Sequence, residues 1–245
     1  MFDGVMKDKQ ANSRLELNEV SHRYGDIAVV DELSLIVNPG EVVVLVGPSG
    51  CGKTTILSLL SGYIKPVSGT VSRAGVIRTV YQSDGLFPWL TVSENICLGL
   101  RSMKDAAHRE KELLELIQLI HLEGFENHYP HQLSGGMRQR VELARVVAGD
   151  SDILLMDEPF SALDYQTRLR MRRELVRLLE KRPRTVVFVT HDIEEAAQLA
   201  DRVLVLSNRP ATVRRELQIT APRPRNLTDP AVIQAMKEIL TELGL

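Results

Sequence analysis

Four nearly continuous runs of aliphatic residues predict the central strands of the chain. They cover residues 42–46, 153–156, 186–189 and 203–206. A strand that is apolar on both faces is typical of a parallel sheet with helices on either side. Helical patterns follow three of these runs, over residues 53–63, 165–181 and 193–199. This alternation of strands and helices predicts a doubly wound α/β core.

The N-terminal part of the chain has a different pattern. Leu15 and Leu17 alternate with polar residues, as do Leu33, Leu35 and Val37, and an Asn-Pro-Gly turn follows. A period of two indicates strands with one buried face. We therefore expect antiparallel sheet beside the parallel core.

Residues 86–150 contain no β-like run and predict a helical subdomain inserted into the core. Helices are expected to open near residue 93 and to cover residues 105–120 and 136–148. After a proline-rich segment, a last amphipathic helix is expected from Pro230 to about Leu243. We predict a flexible tail (1–13), one domain (14–220) and a C-terminal extension (221–245). Within the domain, residues 14–85 and 151–220 form the α/β part and residues 86–150 the helical part.

The charge balance argues against a nucleic-acid binder. Thirty basic residues face 32 acidic ones, which gives a formal net charge of −2, whereas nucleic-acid binding usually needs a basic excess or stripe. The arginines of residues 168–173 alternate with Leu and Met at helical spacing. We expect them to form a solvated helix face rather than a phosphate-binding surface.

The cysteines and the apolar segments define the expected compartment. The two cysteines, Cys51 and Cys97, have neither the number for a disulfide scaffold nor a zinc spacing, which fits a reducing compartment. Residues 1–12 lack the apolar segment of a secretory signal. The aliphatic runs fall far short of the roughly 20 residues that span a membrane. We expect a soluble chain, whose membrane role, if any, depends on a partner.

A glycine-rich loop follows the first aliphatic run and precedes a helix. It matches the pattern G-x-x-x-x-G-K-[ST], and its residues are Gly47, Pro48, Ser49, Gly50, Cys51, Gly52, Lys53 and Thr54, with Thr55 next. The glycines let backbone N–H groups surround a phosphate at the helix N-terminus. Lys53 is expected to reach the β- and γ-phosphates of ATP, and the Thr54 hydroxyl to bind Mg²⁺.

Two adjacent carboxylates end the aliphatic run at residues 153–156. Successive side chains of a strand point to opposite faces, so Asp157 and Glu158 cannot perform the same task. We predict that Asp157 faces the Mg²⁺ ion and that Glu158 acts as general base on the attacking water.

A second glycine-rich helix start lies at Leu133-Ser134-Gly135-Gly136. Ser134 is a plausible N-cap, and the glycines would expose backbone donors to an anion. Taken alone, this segment could equally be an ordinary entry into a helix.

Together these motifs resemble the ATP-binding cassette (ABC) ATPases over about residues 15–206. The resemblance implies a RecA-like P-loop NTPase core and two cassettes that pack head to tail, most simply as a homodimer. It also implies that Ser134, Gly135 and Gly136 contact the γ-phosphate held by the other subunit. Asp164, in a Ser-Ala-Leu-Asp segment, matches the loop between the two sites.

Three further residues take their expected roles from this resemblance. Tyr24 matches the aromatic residue that stacks on adenine. Gln82 matches the glutamine that senses Mg²⁺ and water, and His191 matches the switch histidine that touches the γ-phosphate. Each of them alone would more often be structural.

A narrower resemblance is to the cassettes of nitrate, sulfonate and taurine importers, through residues 84–95, 156–164 and 207–210. It implies an integral membrane permease as partner, a solute-binding protein as indirect partner, and a peripheral location on the cytoplasmic side of the inner membrane. Residues 69–76 are fewer than is usual in that group, so we expect a trimmed antiparallel hairpin. Phe87, Pro88 and Trp89 are either core anchors or part of the cleft for a permease helix.

Three other functions compete with the transport ATPase. A soluble cassette ATPase acting on ribosomes or DNA would normally carry two cassettes or a long coiled-coil insertion. A phosphoryl-transfer kinase would leave residues 133–136 and His191 unexplained. An adaptor without turnover is disfavoured because Glu158 is present. The sequence does not identify the solute.

Overall fold

The computed structural model describes residues 13–81 and 85–245. The strands of this part, in chain order, are β1 (Leu15–Tyr24), β2 (Ile27–Val37), β3 (Val42–Val46), β4 (Ser68–Arg73), β5 (Ile77–Val80), β6 (Ile153–Asp157), β7 (Thr185–Val189), β8 (Arg202–Leu206) and β9 (Val213–Gln218). The helices are α1 (Lys53–Ser61), α2 (Val92–Cys97), α3 (Ala106–Leu119), α4 (Gly135–Ala148), α5 (Tyr165–Lys181), α6 (Ile193–Leu199) and α7 (Pro230–Leu243). A single 3₁₀ turn (Pro130–Gln132) is assigned in the described residues.

The larger sheet has the strand order β5-β6-β7-β3-β8-β9 and is parallel except for β9. Every residue of β3, β6 and β7 is buried, which confirms the predicted strands with two covered faces. β7 pairs with both β3 and β6, and Leu45 and Asp157 both lie opposite Val189. The carboxyl ends of the three strands therefore meet at one edge of the sheet.

The N-terminal strands form a separate antiparallel sheet in the order β2-β1-β4. The predicted alternation is confirmed, since Leu15, Leu17, Leu33, Leu35 and Val37 are all buried. This apolar face packs with α1 in one core cluster. The sheet thereby closes one side of the phosphate loop region.

The predicted hairpin in residues 69–76 is wrong for the part of the chain that the structure describes. β4 pairs with β1, and the next strand, β5, belongs to the other sheet. Gly69 crosses β1 so closely that an added Cβ would lie 2.3 Å from the Glu19 carbonyl oxygen, and its φ is +80°. Only glycine fits this crossing.

The segment between β5 and β6 is helical from α2 to α4, as predicted. Thr91 caps α2 with a capping box that includes Glu94, and Asp105 caps α3. Ser134 is the N-cap of α4, where its hydroxyl accepts a hydrogen bond from the Met137 N–H at 3.3 Å. The three caps account for the three helix starts.

The C-terminal part adds one strand and one helix to the core. The antiparallel edge strand β9 was not predicted, because its sequence, Val-Arg-Arg-Glu-Leu-Gln, is mostly polar and exposed. The predicted last helix is confirmed as α7, which packs on α6 through buried Val232, Ala235 and Ile239. No helix in the described residues is long and apolar enough to cross a bilayer.

The expectation of a solvated arginine face on residues 168–173 is wrong for one arginine. The Arg172 side chain is only 2% exposed, and its guanidinium lies between α5 and α6 against the carboxylates of Asp192 and Glu195. Periodicity could not reveal this, because the acidic partners belong to another helix. Arg170 and Arg173 are exposed, as expected, whereas Arg168 is partly buried and forms an ion pair with Asp192.

Candidate functional site

An open cleft of about 510 Å³ lies at the edge where the carboxyl ends of β3, β6 and β7 meet. Its lining residues are Tyr24, Val29, Ser49, Gly50, Gly52, Lys53, Thr54, Thr55, Glu158, His191 and Arg209. Clefts beyond the carboxyl ends of parallel strands are the usual ligand sites of α/β sheets. The volume is in the range of small-molecule sites.

The phosphate loop is shaped by two glycines in the left-handed region. Gly50 has a φ of +74° and Gly52 a φ of +123°. A Cβ on Gly52 would lie 3.0 Å from both the Val29 side chain and the Val29 carbonyl oxygen. The loop is thus pressed against β2 while its backbone curves around the N-terminus of α1. That geometry suits an anion.

Lys53 places its ammonium group inside this loop. The side chain is buried, and its Nζ donates to the carbonyl oxygens of Gly47 at 2.8 Å and Pro48 at 2.9 Å. The Cys51 Sγ lies 4.0 Å from Nζ and is buried against the loop. A positive charge with its stem fixed at the start of a helix provides a strong site for a phosphate group.

Asp157 is the buried carboxylate of the site. The side chain sits beside Thr54 and Lys53, and burial raises the pKa of Asp157, as does the nearby charge of Glu158. A hydrogen bond with Thr54 and the Lys53 charge act in the opposite direction on that pKa. A buried carboxylate that is costly to charge is well placed to receive a cation.

The donor set fits Mg²⁺ only if phosphate supplies further ligands. No cluster of three His, Cys, Asp or Glu side chains that could hold a metal occurs in residues 13–81 and 85–245. Mg²⁺ is commonly held by one or two protein oxygens together with substrate phosphates and water. The Thr54 hydroxyl and the Asp157 carboxylate would be the protein oxygens.

Glu158 occupies a strained backbone position next to Asp157. Its φ is +47°, in the left-handed region that glutamate rarely adopts. Its N–H donates to the Val189 carbonyl oxygen at 2.9 Å, and its own carbonyl oxygen accepts from Gln139 Nε2 at 3.2 Å and from the Ser161 N–H at 3.1 Å. Strain maintained by surrounding contacts is frequent at functional sites.

Gln139 is a residue of this site that the sequence analysis missed. It is 4% exposed, and its Oε1 also accepts a hydrogen bond from the Ala162 N–H at 3.1 Å. The amide therefore joins α4 to the segment between Glu158 and Asp164. Its position one turn after the second glycine-rich start was the only available signal.

His191 faces the Glu158 carboxylate across the cleft. Its Nδ1 lies 3.0 Å from Glu158 Oε1, and the ring is largely exposed to the cleft. The predicted base and the predicted switch residue are thus adjacent in the folded chain. A water held near this pair would have a carboxylate and an imidazole within reach of the same proton.

Tyr24 also lines the cleft and is 52% exposed. His22 packs edge-on against its ring, with ring centroids 4.8 Å apart. Val29 and Arg209 also line the cleft and were not predicted. Arg209 follows β8 in a loop that the Ser207 hydroxyl braces by donating to the Asn208 and Pro210 carbonyl oxygens.

Ser134, Gly135, Gly136 and Asp164 do not line this cleft and form a second, exposed group. Gly136 packs on the Asp164 loop, where an added Cβ would lie 3.1 Å from the Leu163 side chain. Asp164 caps α5, and hydrogen bonds from the Thr167 side chain and backbone lower the pKa of Asp164. One chain thus keeps its two predicted phosphate-binding segments apart. Gln82 lies outside the described residues.

An aromatic surface precedes α2. Trp89 is 68% exposed and Phe87 40% exposed, and their ring centroids are 5.5 Å apart. Asn95 fixes this segment, since its Oδ1 accepts from the Phe87 N–H at 2.9 Å. Phe87 borders a groove of about 360 Å³, together with Arg78, Thr79, Gly85, Leu98, Arg101, Arg145 and Val146. Trp89 is therefore not a core residue.

Comparison with known proteins agrees with these motifs. Residues 30–161 match the family model described as "ABC transporter". The chain is 44% identical over 234 residues to the aliphatic sulfonates import ATP-binding protein SsuB 1 of Rhodococcus jostii, covering 93% of this chain and 92% of that protein. It is 42% identical to SsuB 2 of Pseudomonas syringae pv. tomato, covering 88% of this chain and 91% of that protein.

Solved structures show the same architecture. The post-hydrolysis dimer of the ATP-binding cassette MJ0796 with ADP and Pi aligns with a TM-score of 0.74 at 32% identity, covering 85% of this chain and all of that one. Another dimeric structure of MJ0796 aligns with a TM-score of 0.75 at 33% identity and the same coverage. The fold is therefore that of a cassette ATPase.

The buried charge of Asp157 leads to a prediction about stability. Because the folded chain holds the Asp157 proton more tightly than the unfolded chain, the free energy of unfolding falls as pH rises through the raised pKa. Without nucleotide and metal, Asp157→Asn should raise Tm at pH 7.5 by about 2–4 °C, and the gain should shrink in acid. Thermal scans from pH 4 to 8 measure this, with Asp26→Asn as exposed control. A lower Tm for Asp157→Asn at pH 7.5 would contradict the raised pKa of Asp157 in the folded chain.

Proposed function

The chain belongs to the ABC transporter family, and on that premise we propose that it is the ATP-hydrolysing subunit of an importer that works through a separate permease. The observation that carries the proposal is one cleft lined by the phosphate loop, Lys53 and the Glu158–His191 pair, with Asp157 buried behind it against Thr54. A binding protein without turnover would need the loop but not that pair. Each side-chain role below is part of the proposal.

Nucleotide binding begins at the two ends of the cleft. The exposed ring of Tyr24 offers a stacking surface for adenine, and Arg209 adds a positive charge to the lining. The loop N–H groups and Lys53 Nζ bind the β- and γ-phosphates. Thr54 and Asp157 would hold Mg²⁺, and the ion would supply positive charge to neutralise the phosphate oxygens.

Hydrolysis depends on the geometry of Glu158 and His191. The Glu158 carboxylate accepts the proton that the attacking water loses, and the His191 imidazole holds that carboxylate through the 3.0 Å contact. Gln82 is proposed to sense the metal and the water, as the family resemblance implies. Backbone hydrogen bonds hold Glu158 in its left-handed conformation at the edge of the cleft.

A second copy of the chain would complete the site. The cleft is open to solvent, and Ser134, Gly135 and Gly136 of the same chain lie outside it. In a head-to-tail pair these residues would reach the γ-phosphate bound by the partner. ATP would then favour the closed pair more than ADP does, which is the differential contact that a switch requires. Asp164 would lie between the two sites.

The proposed solute class is an organic sulfonate. The names of the relatives describe import of aliphatic sulfonates, and the permease and a solute-binding protein would make the selection. We place the chain at the cytoplasmic face of the membrane, with the groove beside Phe87 receiving a permease helix. The competing function, a cassette ATPase with a non-transport partner, is disfavoured because the relatives align over nearly their full length.

Removing the central positive charge should abolish turnover. Lys53→Ala is expected to lower ATP hydrolysis by about 100-fold or more and to weaken nucleotide binding, because the main charge partner of the β- and γ-phosphates is lost. Phosphate release and binding of a fluorescent ATP analogue measure the two effects. A hydrolysis rate equal to wild type would refute the phosphate-loop assignment.

Glu158→Gln should trap a nucleotide-dependent dimer. The amide keeps the size of the side chain but is not a base, so ATP should bind and stay uncleaved. Light scattering should then show a monomer-to-dimer shift with MgATP and none with ADP. Adding Ser134→Arg should abolish the shift and leave the ATP affinity of the monomer within about threefold, since Ser134 is not in its cleft.

Either of two results would count against this pairing. One is a Glu158→Gln dimer that forms equally with ADP. The other is a dimer that persists after Ser134→Arg. The first would mean that the γ-phosphate does not bridge the chains, and the second that another surface joins them.

The aromatic surface should matter for the permease but not for the isolated ATPase. Trp89→Ala is expected to keep ATP hydrolysis within about twofold and to reduce co-purification with a co-expressed permease of the sulfonate importer type at least about tenfold, because exposed aromatics dominate such contacts. Tyr63→Ala, which removes a ring that is 78% exposed, is the matched control. Unchanged co-purification of Trp89→Ala would exclude this docking site.

A further inference from the structure

A buried cluster of charges lies directly behind His191 and has no assigned role. Its centre is Arg172 of α5, with Asp192 and Glu195 at the start of α6. The Arg172 side chain is 2% exposed, and that of Glu195 is 4% exposed. Burying such a group is costly unless it is paired, so its partners show what it holds in place.

Arg172 bridges two helices through several short contacts. Its Nη2 lies 2.6 Å from Asp192 Oδ2 and 3.1 Å from Glu195 Oε1, and its Nη1 donates to Gln198 Oε1 at 3.2 Å. Arg168, one turn earlier on α5, adds a contact of 3.0 Å to the same Asp192 oxygen. The start of α6 is thus fixed to α5 by two guanidinium groups.

The same cluster continues into the turn that carries His191. The Thr190 hydroxyl donates to Glu195 Oε2 at 2.6 Å and accepts from the Asp192 N–H at 2.9 Å. Asp192 Oδ1 accepts from the Glu195 N–H at 3.2 Å and caps α6. Thr190, before His191, is therefore held by Glu195, and Asp192, after it, is held by Arg172.

A small cavity lies between this cluster and the predicted base. It has a volume of about 10 Å³ and is bounded by Glu158, Ser161, Arg168 and residues of the turn from Thr190 to Glu195. This is close to the smallest space that holds one water molecule. The turn and Glu158 thus border the same space, so a displacement of the turn would reach Glu158.

We infer that Arg172 is a positioning residue for ATP hydrolysis, which holds the turn of residues 190–192 so that the His191 ring stays against the Glu158 carboxylate. Because Asp164 is the N-cap of α5, the helix that carries Arg172 also joins the Asp164 loop to the histidine turn. The inference rests on the proposed function, since it assigns Arg172 a part in that reaction. The inference gives Arg172 a role that the exposed arginines of the same helix do not share.

Four variants test this role. Arg172→Leu removes the charge, Arg172→Lys keeps it, and Thr190→Val removes the hydroxyl with little change of shape. Arg182→Leu is the matched control, because Arg182 at the other end of the same helix forms a 2.7 Å ion pair with Glu112, far from the turn. ATP hydrolysis by each variant and the NMR signals of the His191 ring, assigned by their loss in His191→Ala, are measured on the full chain.

Arg172→Leu and Thr190→Val should lower kcat by about 10- to 100-fold while KM for ATP stays within about threefold, since a small displacement affects the reacting geometry more than binding. Arg172→Lys should recover part of the loss. The His191 ring signals should shift in Arg172→Leu and Thr190→Val but not in Arg182→Leu. A merely structural role would lower Tm and leave kcat and these signals of the folded protein unchanged.

The outcomes distinguish this inference from the proposed function. If the wild-type chain hydrolyses no ATP, the proposed function fails, and the His191 ring signals still report whether the cluster holds the turn. If Arg172→Leu does not fold, Thr190→Val tests the same contact. Wild-type kcat with unshifted His191 signals in Thr190→Val and in folded Arg172→Leu would overturn the inference.

Discussion

The parallel pairing of β7 with both β3 and β6 is the constraint on which the site depends. It sets Leu45 and Asp157 opposite Val189, so three chain segments leave the sheet at one edge. The segments that follow these strands are therefore neighbours in space. The phosphate loop, Glu158 and the histidine turn therefore line one cleft, with Asp157 buried beside Thr54. The burial of all three strands on both faces supplies hydrophobic energy that holds them together in the centre of the sheet.

The fold was predictable where burial alone decides the local structure. Continuous aliphatic runs gave the central strands, and capping residues such as Ser134 marked helix starts. β9 could not be predicted, because an edge strand exposes polar residues and depends on pairing with β8. The path of residues 69–76 was also beyond reach. Which sheet β4 joins is decided by its contact with β1, which is distant in the sequence.

In the candidate site, too, some residues could be predicted from the sequence and others could not. Motif residues such as Lys53 and Glu158 could be assigned because phosphate chemistry demands certain groups at fixed spacing. Gln139 and Arg172 could not, since their importance comes from contacts across helices and strands. A buried arginine on a polar helix has the same sequence pattern as a solvated one. Whether its carboxylate partners face it is a property of the tertiary structure.

The left-handed backbone of Glu158 has a consequence for how such an ATPase can lose activity over evolutionary time. At a φ of +47° glycine is at ease, aspartate and asparagine are tolerated, and β-branched residues are nearly excluded. Among the amino acids that one nucleotide change allows for a glutamate codon, valine alone is β-branched and would strain the backbone, whereas glutamine, lysine, alanine, aspartate and glycine would alter mainly the chemistry. Duplicated copies that decay into inactive subunits should therefore rarely carry valine at this position. The backbone conformation, in addition to the reaction, would then limit which residues replace Glu158.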